Sequence, residues 1–435
     1  MKRPELLSPA GTLKNMRYAF AYGADAVYAG MPRYSLRVRN NDFLQGNLRI
    51  GIAEARAQGK RFYLACNLMP HGAKLKTFID DIDPVVALGP DALIMSDPGL
   101  IMLVRERWPE LPIHLSVQAN TVNAAAVRFW QQAGLSRVIL SRELSLDEVA
   151  DIRQACPQME LEVFVHGALC IAYSGRCLLS GYFNHRDANQ GSCTNSCRWD
   201  YQLGEGGCGE EASGLSQSGQ RRHPEADRVY LLQERERPGE FMPVFEDEMG
   251  TYIMNSKDLR AVEHVQRLVE IGIDCLKIEG RTKSHYYAAR TTSVYRQAID
   301  DAVAGRRFRP ELMTALEGLA NRGYTDGFYQ RHATHELQNY RESASRDMRR
   351  QFVAEVSAYD PDRGWMELEI KNKLKVGDRL ELLTPDGSHS FLLAQMEDLQ
   401  GASMDEAPGG GYRVRVPAPH PEPGMGLIAK ELDAG

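Results

Sequence analysis

Apolar and polar positions fall in repeating blocks along the first 280 residues. A short apolar run ends in small or polar residues, a stretch with helical spacing follows, and the cycle begins again. The runs are ELLSPAG (5–11), DAVYAG (25–30), RFYLACN (61–67), DALIMSD (91–97), IHLSVQAN (113–120), RVILSREL (137–144), LEVFVHG (161–167) and DCLKIEG (274–280). Between them, TLKNMRYAFAYG (12–23), NLRIGIAEARAQG (47–59) and TVNAAAVRFWQQAG (121–134) gather their apolar residues on one helical face. Gly23, Gly59, Gly134 and Gly272 close such stretches, as a left-handed helix C-cap requires, and Ser145 with Glu148 reads as a capping box. Eight strand candidates alternating with helices predict parallel pairing, hence the α/β class and a TIM-like (β/α)8 barrel. A doubly wound open sheet is the alternative, but no GxGxxG follows the first run.

The rhythm breaks after the seventh run. Residues 203–227 are rich in Gly, Ser and charge and read as a flexible insertion. TYIMNSKDL (251–259) reads as a strand that delivers Asn255, Ser256, Lys257 and Asp258 to a helix start, competing with DCLKIEG for a place in the barrel. Residues 284–320 have helical spacing. From Gln351 the period becomes two, in QFVAEVSAYD, WMELEIKN, DRLELLTPDGSHSFLLAQM and YRVRVPAP, with turns at 385–387 and 409–411. The chain therefore divides into a barrel domain over 1–345 and a small all-β barrel domain over 351–435.

Composition narrows the function classes. With 435 residues, 43% hydrophobic and 25% charged, the chain is an ordinary globular protein. Its net charge is −6, so a polyanion would have to meet a local basic surface. Residues 351–435 carry 15 acidic and 8 basic side chains, whereas 281–350 carry 8 acidic and 13 basic ones. The start, MKRPELLSPAG, contains no signal-peptide core, and no run reaches the roughly 18 apolar residues of a membrane span. A cytoplasmic location without membrane contact is expected. In that reducing compartment clustered thiols read as metal-binding or catalytic before they read as disulfides.

Four of the eight cysteines crowd into one segment: Cys170, Cys177, Cys193 and Cys197. Their spacing lacks the paired C-x2-4-C knuckles of a structural zinc site and suits an iron–sulfur cluster held among loops; zinc and free redox-active thiols stay open. Cys208 lies in the insertion, and Cys66, Cys156 and Cys275 lie in or beside apolar runs as core residues. In a barrel the site lies at the strand C-termini. There, His166, Glu143 and Glu279 are candidates for proton transfer. Arg142, Asn255, Lys257, Lys277, Arg281 and Gln118 are candidates for substrate binding. Lys277, Glu279 and Arg281 alternate, so one face carries all three, as either an anion site or a structural ion pair. PRYSLRVRNNDF (32–43) interleaves Arg33, Arg37 and Arg39 with Tyr34, which suits looped RNA or a solvated surface.

FVHGALCIAYSGRCLLSGY followed by NQGSCTNSCRW, together with ELLSPAG, HLSVQAN, VILSREL and LKIEGR, resembles the collagenase-like peptidase family, family 32 of the unassigned peptidases. Within it the likeness is strongest to bacterial members that make 5-hydroxyuridine at the wobble position of tRNA. The resemblance implies a tRNA uridine hydroxylase with a TIM-like barrel and a C-terminal β-barrel. It also implies an iron–sulfur cluster of the 4Fe-4S type on Cys170, Cys177, Cys193 and Cys197, and hence dependence on the iron–sulfur assembly machinery. Prephenate would be the co-substrate, a dicarboxylate for which Arg142, Lys257, Lys277 and Arg281 form a cationic cradle. The partner would be tRNA, bound through its anticodon loop. A collagenase-like peptidase and a non-catalytic RNA-binding protein with a structural metal are the two other classes.

Overall fold

The computed structural model describes residues 1–36, 41–169, 174, 257–321, 323–330 and 350–432, together with the backbone of three short strands between 230 and 252. Seven parallel strands follow one another in sequence order: β1 (Glu5–Pro9), β2 (Ala26–Gly30), β3 (Arg61–Cys66), β4 (Ala92–Met95), β5 (Ile113–Leu115), β6 (Arg137–Ile139) and β7 (Glu160–Ala168). The chain then makes an antiparallel ribbon of β8 (Tyr230–Gln233), β9 (Phe241–Asp247) and β10 (Gly250–Tyr252). After the short strand β11 (Asp258–Arg260), β12 (Cys275–Ile278) pairs in parallel with both β1 and β7 and closes the barrel. All eight apolar runs thus become the staves expected of them. Both faces of each stave are covered, which is why they read as continuous apolar runs.

Local signals set the helix starts. Thr12, Asp97, Asn123 and Ser284 each accept a backbone N–H of the first turn, and the Ser145–Glu148 capping box is formed in both directions. Gly272 ends helix Val265–Ile271 with φ +85°, a left-handed cap. No helix among the described residues is long and apolar enough to cross a membrane.

The stretch 251–259 does not compete for the barrel. It is split between β10, in the ribbon, and β11, which runs antiparallel beside the upper end of β7 with Asp258 opposite Ala168 and Arg260 opposite His166. β13 (Tyr324–Thr325) continues this edge in parallel with β11. The ring is already closed by β12, which pairs with both β7 and β1, so β11 lies outside it. The β7–β12 ladder also slips: Lys277 faces Phe164, but Ile278 faces His166. That irregularity turns the His166 ring toward Tyr287 and Tyr295 of helix His285–Val303, away from the barrel interior.

The second domain is all-β, as expected. Its strands are β14 (Arg350–Asp360), β15 (Trp365–Ile370), β16 (Leu374–Lys375), β17 (Arg379–Thr384), β18 (Gly387–Leu392), β19 (Glu406–Ala407), β20 (Arg413–Pro417) and β21 (Leu427–Glu431). Six of them form an antiparallel sheet in the order β18-β17-β21-β14-β15-β20, and β16 pairs with β19. Leu374 and Ala407 of that pair join Val353, Leu368, Leu382 and Val416 in one core. The domain docks on helices Leu13–Ala21 and His285–Val303. Tyr22 Oη lies 2.7 and 2.9 Å from the carbonyl oxygens of Leu383 and Met425, and the Tyr286 and Phe352 rings stack at 5.0 Å.

Candidate active site at the barrel mouth

Residues at or just beyond the ends of β2, β6 and β12, strands separated by β1 and β7, bring four polar side chains together at the mouth. Tyr28, the last aromatic of β2, points its hydroxyl to 3.1 Å from the Ile278 carbonyl oxygen and 3.3 Å from Glu279 Oε2. Arg142 lays its guanidinium on the Phe164 ring, 3.8 Å from the centroid, and donates to the Ala168 carbonyl oxygen at 3.3 Å. Its Nη2 lies 3.8 Å from Glu279 Oε2. Arg281 donates to Ser35 Oγ at 2.7 Å and stands 5.7 Å from the Tyr28 ring centroid. Gly30 makes room for it: a side chain there would meet Arg281 Nη1 at 2.5 Å and Ser35 Oγ at 2.8 Å. Burial, and then the nearby Glu279 charge, push the Tyr28 phenol well above its ordinary value, so it remains a donor.

The alternation of Lys277, Glu279 and Arg281 holds, but the three reach different depths. Lys277 lies inside the barrel beneath the mouth, 2.8 Å from Glu162 Oε1, with its ammonium 4.3 Å from the Tyr28 centroid. Glu162 also receives Arg137, which bonds to Glu5 at 2.7 Å. Burial opposes the Glu162 charge, yet Lys277 and Arg137 outweigh it and hold the carboxyl below its ordinary value. Lys277 is therefore a floor beneath the site, tied up by Glu162, and not an arm of the cradle.

His166 departs from expectation too. It is buried among Tyr287, Tyr295 and Tyr324, with centroids 5.5–5.8 Å away, and its Nδ1 lies 3.4 Å from the Tyr295 hydroxyl. Burial pushes its pKa down to about 3, so it is neutral at physiological pH. It is tied to the mouth through backbone: its carbonyl oxygen accepts from Glu279 N at 2.8 Å. The next residue, Gly167, has φ +104°, and a side chain there would collide with the Glu279 carbonyl oxygen.

Glu143 accepts the Ser141 hydroxyl. Gln118 is buried and structural, its amide donating to the Asn67 carbonyl oxygen at 2.9 Å while its oxygen accepts from Ser116 at 2.7 Å. Lys257 sits just before β11, beyond the end of β7. Asn255 and the four clustered cysteines lie outside the described residues. Between Cys170 and Cys177 only Ser174 is described, and its carbonyl oxygen accepts from Asn120 Nδ2 at 3.1 Å. Cys66, Cys156 and Cys275 are free and buried, as expected of core residues.

The stretch 32–43, read as suited to looped RNA or as a solvated surface, falls partly within the described residues. Tyr34 is buried, its hydroxyl 2.6 Å from Asp81 Oδ2, and Arg33 pairs with the same carboxylate at 2.8 Å. Arg37 and Arg39 lie outside the described residues. Tyr28, Ser35 and Phe164 were missed as site residues. Tyr28 and Phe164 carried a signal, since both are aromatics near the ends of apolar runs.

The pattern of peptidase family U32 matches residues 11–339, and that of the peptidase family U32 C-terminal domain matches residues 348–429. The chain belongs to peptidase family U32. The chain is similar to the tRNA hydroxylation protein P of Escherichia coli strain K12, 60% identical over 429 residues that cover 96% of this chain and 94% of the relative. The protein of the same name from Haemophilus influenzae is 56% identical over 430 residues, with the same coverage of 96% and 94%. A protein named collagenase from Porphyromonas gingivalis strain W83 is 27% identical over 434 residues, covering 95% of this chain and 94% of its own.

Proposed function

We propose that this chain is a tRNA-modifying enzyme that hydroxylates C5 of the wobble uridine, giving 5-hydroxyuridine, with an iron–sulfur cluster and prephenate as its requirements. The observation that carries the reading is the likeness along nearly the whole chain to the two relatives named for tRNA hydroxylation. The net change inserts an oxygen atom into a C–H bond, a two-electron oxidation, so the site must also admit an oxygen donor.

The mouth suits such a reaction. A wobble base sits in a loop and can leave its stack without opening a duplex. The Arg142 plane, backed by the Phe164 ring, suits a planar base, and the guanidinium groups of Arg142 and Arg281 suit carboxylates. Glu279, bonded to Tyr28 and close to Arg142, is placed to hold a proton at the same spot. The thiols of Cys170, Cys177, Cys193 and Cys197 are a suitable donor set for a 4Fe-4S cluster, and the three cysteines buried in the core do not compete with them. When bound, the cluster would supply electron transfer or a Lewis-acidic iron.

Mass spectrometry of nucleosides tests the reading. A strain lacking this gene and any second member of the family should lose 5-hydroxyuridine and its derivatives from tRNA, and re-expression should restore them. An unchanged profile would overturn the activity. A colourless, anaerobically purified protein without iron or sulfide would overturn the cofactor separately.

A further inference from the structure

We propose that Glu263, His264 and Asp326 form a binding site for a divalent metal ion of borderline softness, with zinc the best fit, away from the barrel mouth. The three residues come from two separate segments. Glu263 and His264 lie in the single turn Val262–His264 that leads into helix Val265–Ile271, and Asp326 follows β13. One imidazole nitrogen and one oxygen from each carboxylate lie within 4.8 Å of one another.

The distances are compatible with a bound metal. His264 Nε2 lies 3.1 Å from Asp326 Oδ2 and 4.0 Å from Glu263 Oε1. Tetrahedral zinc with bonds of about 2.1 Å separates its ligand atoms by about 3.4 Å, between those two values. The Gln330 carboxamide nitrogen lies 3.4 Å from the same His264 nitrogen. One ring nitrogen cannot both donate to Asp326 and accept from Gln330. Turning the Gln330 carboxamide removes the conflict, and so does a cation on the Nε2 lone pair, which would draw in both carboxylates. Turned end for end, the Gln330 carboxamide then presents its oxygen as a fourth ligand.

The site is held in shape before any ion arrives. His264 N donates to the Ala261 carbonyl oxygen at 3.1 Å, and Ala261 N donates to Val165 on β7 at 2.9 Å. On the other side, Gly327 N donates to Thr325 Oγ1 at 3.1 Å, and the Tyr329 hydroxyl donates to the Phe164 carbonyl oxygen at 2.6 Å. Both ligand-bearing segments are thus fastened to the backbone of the same stave. The His264 and Asp326 side chains are each 9% exposed, whereas Glu263, at 39%, lies on the solvent side of the site. One imidazole with two carboxylates suits zinc, and manganese less well, whereas a calcium site would be built from oxygen alone.

Calorimetric titration of the full chain with zinc ions tests the site, with His264→Gln, Asp326→Asn and Glu263→Gln as variants. The cysteine-rich segment will take up zinc as well, so the site is read as a difference. Wild type should bind one more equivalent than His264→Gln or Asp326→Asn, and Glu263→Gln should bind that equivalent at least tenfold more weakly. Should the two buried substitutions unfold the chain, Glu263→Gln alone decides by its affinity, since it alters an exposed side chain. Equal stoichiometry and affinity in wild type and every folded variant would overturn the proposal.

Discussion

Lys277 Nζ lies 2.8 Å from Glu162 Oε1 in the middle of the barrel, with both side chains buried. Two desolvated charges are tolerable only as a pair, and removing one strands the other. Lys277→Met should therefore destabilise the fold by about 3–5 kcal/mol, because Glu162 is left with Arg137 alone. The double variant Lys277→Met with Glu162→Gln should recover much of that loss. Urea unfolding of the two single variants and the double variant measures the coupling, and strictly additive losses would refute it.

His166 supplies a pH dependence of known sign. Its folded pKa is about 3, lowered first by burial and further by Arg260 and Lys283, with Asp258 opposing. An unfolded histidine titrates near 6.5, so between these values the unfolded chain binds more protons. The stabilisation is complete above pH 6.5 and is lost as pH falls toward 3, at about 1.4 kcal/mol per pH unit. His285, pushed down to about 4 by burial, adds a slope of the same sign, so the His166 share must be read as a difference. Urea midpoints at pH 7, 6 and 5 should fall less steeply in His166→Phe than in wild type. Parallel curves would show that His166 does not carry the effect.

The barrel was legible because each stave is buried on both faces, and a run such as DALIMSD has little choice of environment. The interior charges were less so. Glu160 and Glu162 alternate along β7 as Lys277 and Glu279 do along β12, but the pairing of Lys277 with Glu162 depends on which strands meet across the closure. His166 reads as a mouth residue by the same period of two, and the slip in register after Lys277 sends it elsewhere. No local signal marks that slip. β11 misled for another reason: Asp258–Arg260 has a strand's composition, but its direction is set by the long excursion before it.

The docking of the two domains yields a third expectation. Arg290 Nη1 lies 2.9 Å from Glu381 Oε1 with both side chains buried, and Arg350 Nη1 meets Glu381 Oε2 at 2.7 Å. Glu381→Ala leaves two arginines facing a vacated carboxylate site and should cost about 3–5 kcal/mol at the interface. Calorimetry should then resolve two melting transitions where wild type shows one. A single transition at an unchanged temperature would mean the pair does not couple the domains.

Arg142 and Arg281 give the most direct test of the proposed chemistry. Arg142 rests on Phe164 and Arg281 is held by Ser35, so each fork has a fixed direction. Lysine would keep the charge but lose the plane and the paired donors. If the forks receive the carboxylates of prephenate, Arg142→Lys and Arg281→Lys should raise the KM for that acid about tenfold to a hundredfold, the equivalent of about 1.5–3 kcal/mol for a charged hydrogen bond. The KM for tRNA should move little, since phosphate attraction is spread over many side chains. Ser35→Ala should give a smaller effect of the same kind, because Arg281 loses its anchor and keeps its charge. A change confined to the KM for tRNA would place these arginines on the nucleic acid instead.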